Sequence, residues 1–207
     1  MTVDTGARRE SPRSKRGSIL TAAIEQFGRI GYEHTKWASI ADEVGIGQTA
    51  LYHYFESKAH CLLTIMRLEL ADSADRFVAA IEGEENPEKA LRAAVAAALR
   101  AEPIDALQRR ILQNHMDLLA APRQSEKEEA ERLRSRELVQ EIEQNWTDLI
   151  ARGVETGEFA GDDPRVLGRL VLAVVISVWR WYRPDGALTL AEITETVTET
   201  AVRMVRA

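Results

Sequence analysis

The stretch from Thr35 to Lys58 reads TKWASIADEVGIGQTALYHYFESK and carries two short helical patterns on either side of a glycine turn. The hydroxyl of Thr35 is expected to cap the first helix by accepting a hydrogen bond from a backbone N–H of its first turn. Apolar side chains of this helix share one face, at Ile40, Ala41 and Val44. That face predicts a packing partner elsewhere in the chain.

Gly45 follows the first helix, and glycine takes the left-handed backbone conformation of such a helix end without strain. The second helix is predicted from Gln48 to Tyr54, with Leu51 and Phe55 pointing inward. Its outward side chains are flat or short hydrogen-bonding groups without a carboxylate: Gln48, Thr49, Tyr52, His53 and Tyr54. Such a surface fits a groove lined with base edges and phosphates, so the pair predicts a DNA-binding helix-turn-helix.

Further motifs lie around this pair over residues 19–66, in the order F-x-x-x-G-Y, I-A-x-x-x-G, L-Y-x-Y-F and S-K. In these motifs the chain resembles the DNA-binding domain of the TetR family of bacterial transcriptional regulators. The resemblance implies an all-α fold of about nine helices, in which a three-helix DNA-binding domain precedes a helical ligand-binding and dimerisation domain. We place a basic arm at residues 1–11, the helix-turn-helix domain at 12–56 and the second domain at 57–207.

The resemblance also implies which side chains touch DNA. Those that match the family's phosphate contacts are Thr35, Lys36, Tyr52, Tyr54 and Lys58. Those that match its base-edge contacts are Gln48, Thr49 and His53. Ser57 is expected to cap the fourth helix, which would place the Lys58 ammonium beside a helix N-terminus, where phosphate is favoured. Trp37 departs from the family pattern, and it is expected to pack either against DNA sugars or in the domain core.

The net charge of −6 becomes compatible with DNA binding once it is divided along the chain. Residues 1–60 hold eight Lys and Arg against seven Asp and Glu, for a charge of +1, and residues 61–207 carry −7. DNA phosphates would repel the acidic residues 61–207 but not residues 1–60. This difference would orient the molecule with residues 1–60 towards the duplex. Ordinary scatter in composition explains the same difference, and the sequence leaves both explanations open.

Residues 1–11 are polar and are expected to be disordered. Basic side chains in and just after them are Arg8, Arg9, Arg13, Lys15 and Arg16. Such an arm either follows the DNA backbone or minor groove or is a solvated tail. The first helix is predicted to begin at Pro12 with Ser11 as its cap and to stop at Gly31. Its side chains that should cover the helix-turn-helix pair are Ile19, Leu20, Ala23, Phe27 and Ile30.

The chain beyond residue 60 is predicted to be helical. A long fourth helix should end between Glu82 and Pro87, followed by helices at Pro87–Arg100 and Ile104–Ala121. The charged segment SEKEEAERLRSRE after Pro122 is predicted to be solvated, as a helix or loop with i,i+4 ion pairs. Its helix is expected to continue and to stop between Gly153 and Gly157.

The last two helices are more apolar than a single small bundle requires. The segment Val166–Tyr182 is apolar nearly all round, and a stripe follows at Leu190, Ile193, Val197, Ala201 and Met204. The resemblance implies a homodimer in which these helices of two subunits form a four-helix bundle. The two recognition helices would then lie about one DNA turn, ~34–36 Å, apart on a near-palindrome. The alternative is a weak dimer, or a monomer that buries both helices.

The stretch Ser177–Gly186, SVWRWYRPDG, resembles a segment of TetR-type regulators of fatty-acid and steroid breakdown, which respond to acyl-CoA thioesters. Its arginines could meet an anionic ligand, whereas a stable corner at a helix end explains its aromatic residues as well. Candidate ligand-binding residues are Leu112, His115, Met116, Trp146 and Arg180. His115 is more readily explained as an ordinary core or surface histidine.

The single cysteine, Cys61, cannot form an intrachain disulfide, and no apolar N-terminal segment or membrane-length apolar run occurs, which predicts a cytoplasmic protein. No G-x-S-x-G, H-E-x-x-H or E-x-x-H motif occurs, and the four histidines have no metal-ligand spacing. We therefore expect no enzyme, metal or cofactor.

The predicted function is a ligand-responsive regulator, most simply a repressor released from a palindromic operator by a small-molecule effector. The alternative is a helical small-molecule or protein binding module without DNA-binding function.

Overall fold

The computed structural model describes residues 12–161 and 163–206, and every regular element within them is a helix. The helices are α1 (Pro12–Arg29), α2 (Trp37–Val44), α3 (Gln48–Tyr54), α4 (Lys58–Ile81), α5 (Pro87–Leu99), α6 (Pro103–Asn114), α7 (Glu126–Glu155), α8 (Pro164–Trp181) and α9 (Leu190–Val205). The predicted all-α fold of about nine helices is confirmed for this part of the chain. The basic arm at 1–11 and the Ser11 cap lie outside the described residues.

The chain divides into two compact units between Leu62 and Leu63, so α4 begins in the first unit and continues in the second. In the first unit, the apolar faces of α1, α2 and α3 close over one core. Its fully buried side chains include Ile19, Ile40, Leu51 and Phe55. Trp37 is 9% exposed and meets the Phe55 ring edge-on at 6.5 Å, which places it in the domain core. The prediction that Ile30 covers this core is wrong, because Ile30 follows the end of α1 and is 56% exposed.

The turn between α2 and α3 has the predicted chemistry. Gly45 has φ 68° and ψ 41°, and its N–H donates to the carbonyls of Ala41 and Asp42, which closes α2. The other end of α2 differs from the prediction, because Lys36 is the residue at its N-terminal boundary and no side chain caps it. The Thr35 hydroxyl instead donates to the carbonyl of Gly31 at 2.8 Å. Thr35 therefore holds the turn after α1 rather than capping α2.

In the second unit, α7 and α8 pack closely because a glycine faces the partner backbone. A Cβ added at Gly168 of α8 would lie 3.2 Å from the backbone of Thr147 on α7. A second glycine, Gly153 near the end of α7, accepts the ring of Phe159, and a side chain there would overlap that ring. The close contacts at these two glycines fix how the long α7 packs within this unit.

Two predicted features of the middle of the chain are corrected. The helix expected over Ile104–Ala121 is interrupted: α6 ends at Asn114, and a separate 3₁₀ turn covers Met116–Leu119. The charged segment after Pro122 is the start of α7, and two of its polar residues are buried rather than solvated. Arg132 is 4% exposed and donates to the carbonyl of Leu119 at 3.0 Å, and Ser135 is fully buried.

No helix among the described residues is long and apolar enough to cross a membrane.

Candidate nucleic-acid interface and effector cavity

Helix α3 presents a polar and aromatic face outward because its two apolar anchors point inward. Leu51 and Phe55 are fully buried. Four side chains of this helix that belong to the predicted DNA-contact set are exposed: Gln48, Thr49, Tyr52 and His53. Tyr54 is half-buried beside them. The helix thus has the predicted bounds, and no carboxylate lies within it to repel phosphate.

Two residues predicted to contact phosphate, Thr35 and Lys36, precede α2 and differ in exposure. Lys36 is exposed, so its ammonium can reach a phosphate. Thr35 is 3% exposed, and its hydroxyl is used within the unit. The expected phosphate contact through that hydroxyl is therefore not supported by this geometry.

Lys58 lies at the start of α4, where Ser57 forms the predicted cap by accepting from the backbone N–H of His60 at 2.8 Å. Its ammonium is held by backbone carbonyls within the unit. The ammonium donates to the carbonyl of Tyr32 at 2.7 Å and to that of Thr35 at 3.0 Å, and it lies 4.2 Å from the centre of the Tyr32 ring. Lys58 thus ties α4 to the turn between α1 and α2. Two of the three N–H groups of this ammonium are thus used within the unit, and one is left over for a phosphate.

The second unit contains a cavity of about 150 Å³ between helices α4 to α8. Its apolar walls include Leu112, Met116, Ile142, Trp146, Val175 and Trp179. Three of the ligand-binding residues predicted from the sequence lie in this wall: Leu112, Met116 and Trp146. The other two do not line it. His115 is at the break between α6 and the 3₁₀ turn, and Arg180 is exposed on α8.

One end of the cavity is polar, and the sequence-based candidates did not include it. Glu69 and Arg109 are each 4% exposed, and Glu69 Oε1 accepts from Arg109 Nε and from Arg76 Nη2, both at 3.0 Å. Arg109 also donates to the carbonyl of Ala98 at 3.1 Å, and its guanidinium lies 4.7 Å from the centre of the Trp179 ring. Burial raises the pKa of the Glu69 carboxyl, and the two guanidiniums oppose that rise.

A signal for this cluster is present in the sequence. Glu69 lies four residues after Ile65, on the apolar stripe of α4, and a carboxylate on a buried stripe requires a cationic partner. The pattern predicts that a partner exists, but it does not show which arginine folds against it, because Arg109 is forty residues away on α6.

Comparison with known proteins decides the family. A family model described as "Tetracyclin repressor-like, C-terminal domain" matches residues 84–205, which is more than half of the chain, and one described as "Bacterial regulatory proteins, tetR family" matches residues 19–65. The chain belongs to the TetR family. The resemblance noted in the sequence is thereby confirmed.

Named relatives of this TetR-family chain are transcriptional regulators. The HTH-type transcriptional repressor KstR2 of Mycobacterium tuberculosis is 28% identical over 188 residues, which is 87% of each chain. Among solved structures, the TetR family regulator PfmR of Thermus thermophilus is 29% identical with a TM-score of 0.77, covering 89% of this chain and 97% of that one. The ketosteroid transcriptional regulator KstR2 of M. tuberculosis is 25% identical with a TM-score of 0.79, covering 95% and 97%. The TetR-family chain is therefore a transcriptional regulator of the helix-turn-helix type.

Helix α8 of this TetR-family chain leaves large apolar side chains uncovered. Val166, Leu170 and Trp181 are each about half exposed, at 54%, 49% and 50%. The opposite side of α8 is buried, including Val171, Val175 and Val178. The helix thus has an apolar inner face that packs within the unit and a second apolar face that does not.

Among the described residues, no group of His, Cys, Asp and Glu has an arrangement that could hold a metal ion.

Proposed function

We propose that this chain is a repressor that binds a near-palindromic operator as a homodimer and leaves it when a small-molecule effector enters the second unit. The face of α3 is the observation that carries the proposal, because its exposed hydrogen-bonding side chains stand on a buried apolar base. The repressor names of the KstR2 relatives support the direction of regulation. We propose no catalytic activity, and a regulator of chromosomal genes would act in the cytoplasm.

The proposed DNA contacts fall into two classes. Base edges would be read by Gln48, Thr49 and His53, which are exposed on α3. Phosphates would be met by Lys36, Tyr52 and Tyr54. Lys58 belongs in the second class if a phosphate oxygen accepts the remaining N–H of its ammonium, which already donates to the carbonyls of Tyr32 and Thr35.

The proposed dimer would use the uncovered face of α8 together with α9. Exposed apolar side chains of the size of Leu170 and Trp181 mark an interaction surface when they lie on one helix face. Two copies of such a face, related by a two-fold axis, would bury each other in a four-helix bundle. The same axis would set the two α3 helices on successive major grooves, about 34–36 Å apart.

The proposed effector site is the cavity of the second unit. A space of about 150 Å³ holds a group of the size of a benzene ring, so the acyl end is the part of a coenzyme A thioester that would enter it. The stretch Ser177–Gly186, which motivated the acyl-CoA prediction, has Trp179 in the cavity wall and Arg180 and Arg183 exposed. An acyl-CoA effector with its acyl end in the cavity and its phosphates near these arginines stays a prediction. The ketosteroid regulator among the relatives supports an apolar effector.

Selection of genomic fragments by the purified chain tests the proposal. We expect recovery of a near-palindromic fragment whose affinity falls steeply as salt rises. Leu170→Glu should convert the dimer to a monomer in analytical ultracentrifugation and abolish operator binding, whereas Arg134→Gln, a change at an exposed ion pair, should alter neither. A chain that binds small molecules but retains no DNA fragment in any selection would contradict repression and leave the binding-module function.

A further inference from the structure

The charged side chains in the wall of the cavity already have partners within the protein. Glu69 accepts hydrogen bonds from Arg76 and Arg109, both at 3.0 Å. Glu143, the second carboxylate of the wall, accepts from Arg169 at 3.2 Å. Among the described residues, the wall therefore holds two carboxylates and two guanidiniums, and its formal charge is zero.

This balance disfavours a charged ligand. An ion that leaves water for a cavity loses its hydration, and only an unpaired counter-charge in the wall offsets that loss. Arg109, which is 4% exposed, is shared between the Glu69 carboxylate and the carbonyl of Ala98, and its guanidinium lies 4.7 Å from the centre of the Trp179 ring. The guanidinium is thus committed to groups of the protein, and the cavity favours a molecule without charge.

Two uncharged polar side chains of the wall are not committed. Ser73 lies one helical turn after Glu69 on α4, and Gln113 lies one turn after Arg109 on α6, and both line the cavity. Among the described residues, the Ser73 hydroxyl and the Gln113 amide have no hydrogen-bond partner, and their polar atoms remain accessible. A hydroxyl and a carboxamide both donate and accept, so either can bind an uncharged oxygen.

The remainder of the cavity is apolar and limited in size. Trp146 and Trp179 face it together with Leu112, Ile142 and Val175. At about 150 Å³, the space matches the volume that accommodates benzene in an engineered protein cavity. A ligand that fills it has an apolar body of about six carbon atoms.

We propose that the cavity binds an uncharged apolar group that carries one oxygen, as in an alcohol, ketone or ester, and that Ser73 or Gln113 forms a hydrogen bond with this oxygen. The hydrocarbon body would lie against Trp146 and Trp179. An ionised carboxylic acid of the same size would be rejected, because no unpaired cation in the wall receives it. This inference rests on the proposed function, since it names the chemistry of the effector for the same site.

The uncharged oxygen can come from two sources. One is a free alcohol, ketone or ester. The other is the acyl group of a coenzyme A thioester, whose thioester carbonyl is uncharged. Both present the same chemistry to Ser73 and Gln113, and only the second extends beyond the cavity.

Isothermal titration of the full chain with compounds of matched carbon skeleton tests the charge preference. The pairs are benzyl alcohol with benzoate, and cyclohexylmethanol with cyclohexanecarboxylate. We expect at least one alcohol to bind and its carboxylate to bind roughly 100-fold more weakly or not at all, because the buried carboxylate would have no counter-charge. A carboxylate that binds as tightly as its alcohol, or the binding of neither alcohol, would overturn the proposal.

A double variant tests the hydrogen bond. Ser73→Ala combined with Gln113→Met removes both polar groups and keeps the wall lined. It should weaken benzyl alcohol by about 2- to 10-fold, the effect of one neutral hydrogen bond, and leave the affinity for toluene unchanged. Equal weakening of both compounds would report an altered cavity shape, and no weakening of either would report an unused pair of side chains. Each of these two results would contradict the assignment.

Two further variants locate the site. Leu172→Trp fills the cavity without changing a charge and should abolish binding of benzyl alcohol and of toluene. Ser18→Ala is the matched control in the first unit, where the Ser18 hydroxyl donates to the carbonyl of Ser14, and it should leave both affinities unchanged. Retention of both compounds by a Leu172→Trp chain with native thermal unfolding would place them outside the cavity and refute the inference.

A thioester comparison separates the two sources. Cyclohexanecarbonyl-coenzyme A and methyl cyclohexanecarboxylate carry the same acyl group, and both should lose affinity in the double variant. Tighter binding of the thioester identifies an acyl group as the source, and tighter binding of the methyl ester identifies a free compound. A thioester whose binding is indifferent to the double variant and to Leu172→Trp would overturn the inference.

Operator affinity is measured on the same samples, which separates this inference from the proposed function. Release of the operator by an anionic compound, with no response to the neutral ones, would reject this inference alone. Binding of the neutral compounds by a chain that retains no DNA fragment would reject repression and leave the assignment of the cavity standing.

Discussion

Replacing Lys58 by methionine removes the ammonium and keeps most of the aliphatic stem. The ammonium makes two hydrogen bonds, at 2.7 Å to the carbonyl of Tyr32 and 3.0 Å to that of Thr35, and a cation–π contact with the Tyr32 ring. Two different consequences are possible. If Lys58 positions the turn after α1, the first unit loses stability, and if it contacts DNA, the salt dependence of binding changes.

The magnitudes separate the two roles. Hydrogen bonds from a charged donor contribute about 1.5–3 kcal/mol each in buried sites, and Lys58 is half-buried, so we expect a loss of about 2 kcal/mol for the pair. A phosphate contact contributes about 0.9 to the slope of log K against log salt concentration, or about 1.8 for both subunits of a dimer. The structure favours the first role.

Amide hydrogen exchange of the first unit and titration of a labelled duplex at several salt concentrations measure both quantities. We expect Lys58→Met to lower the opening free energy of α1 to α3 by about 2 kcal/mol and to weaken binding at every salt concentration with an unchanged slope. Lys36→Ala is the matched control, because Lys36 is exposed and its side chain makes no capping hydrogen bond to α2. It should lower the slope by about 0.9 per subunit and leave exchange unaltered.

A result in which Lys58→Met behaves like Lys36→Ala would refute this reasoning. Unchanged exchange, combined with a slope that falls by about 1.8, would mean that the ammonium contacts phosphate and that its hydrogen bonds to the two carbonyls add little stability. Lys58 would then have the role implied by the family resemblance.

Three further outcomes are expected. Gln48→Ala should relax base preference at one position, where a bidentate side-chain contact discriminates by about 1–3 kcal/mol, and an unaltered consensus in site selection would remove Gln48 from the base-reading set. Hydrogen bonds from Arg132, and then from the backbone of Arg123, lower the pKa of Glu129 from 4.5 to about 2. Its stabilisation is therefore complete above pH 4.5 and is lost as pH falls towards 2, so urea midpoints of Glu129→Gln and the parent should differ at neutral pH and converge in acid. Gly153→Val should destabilise by roughly 1–3 kcal/mol, because the buried Phe159 ring occupies the space of any side chain there, and an unchanged thermal midpoint would contradict that packing.

The helix-turn-helix was predictable because its signals are local. The inward spacing of Leu51 and Phe55, the glycine at 45 and the Ser57 cap all act within a few residues, and each appears in the structure as expected. Thr35 shows where local reasoning fails. A threonine before a helix is a good cap, but the carbonyl of Gly31 competes for its hydroxyl, and the chain reversal after α1 brings that carbonyl within 2.8 Å.

The cavity was only partly predictable, because its wall is assembled from five helices. Leu112, Met116 and Trp146, which were candidates because they lie on the middle helices, do line it. His115 was misplaced: it is the boundary residue between the end of α6 and the 3₁₀ turn, and it does not line the cavity. The pairing of Glu69 with Arg109 depends on packing between α4 and α6, which no spacing rule specifies.

The positions of the four tryptophans give this protein an internal optical reporter. Trp146 and Trp179 line the cavity, Trp37 packs beside Phe55 in the other unit, and Trp181 is half exposed on α8. Indole emission responds to the polarity of its surroundings, so occupation of the cavity should shift the spectrum of the unlabelled chain. With phenylalanine at positions 37 and 181, the remaining signal would come from the cavity wall alone.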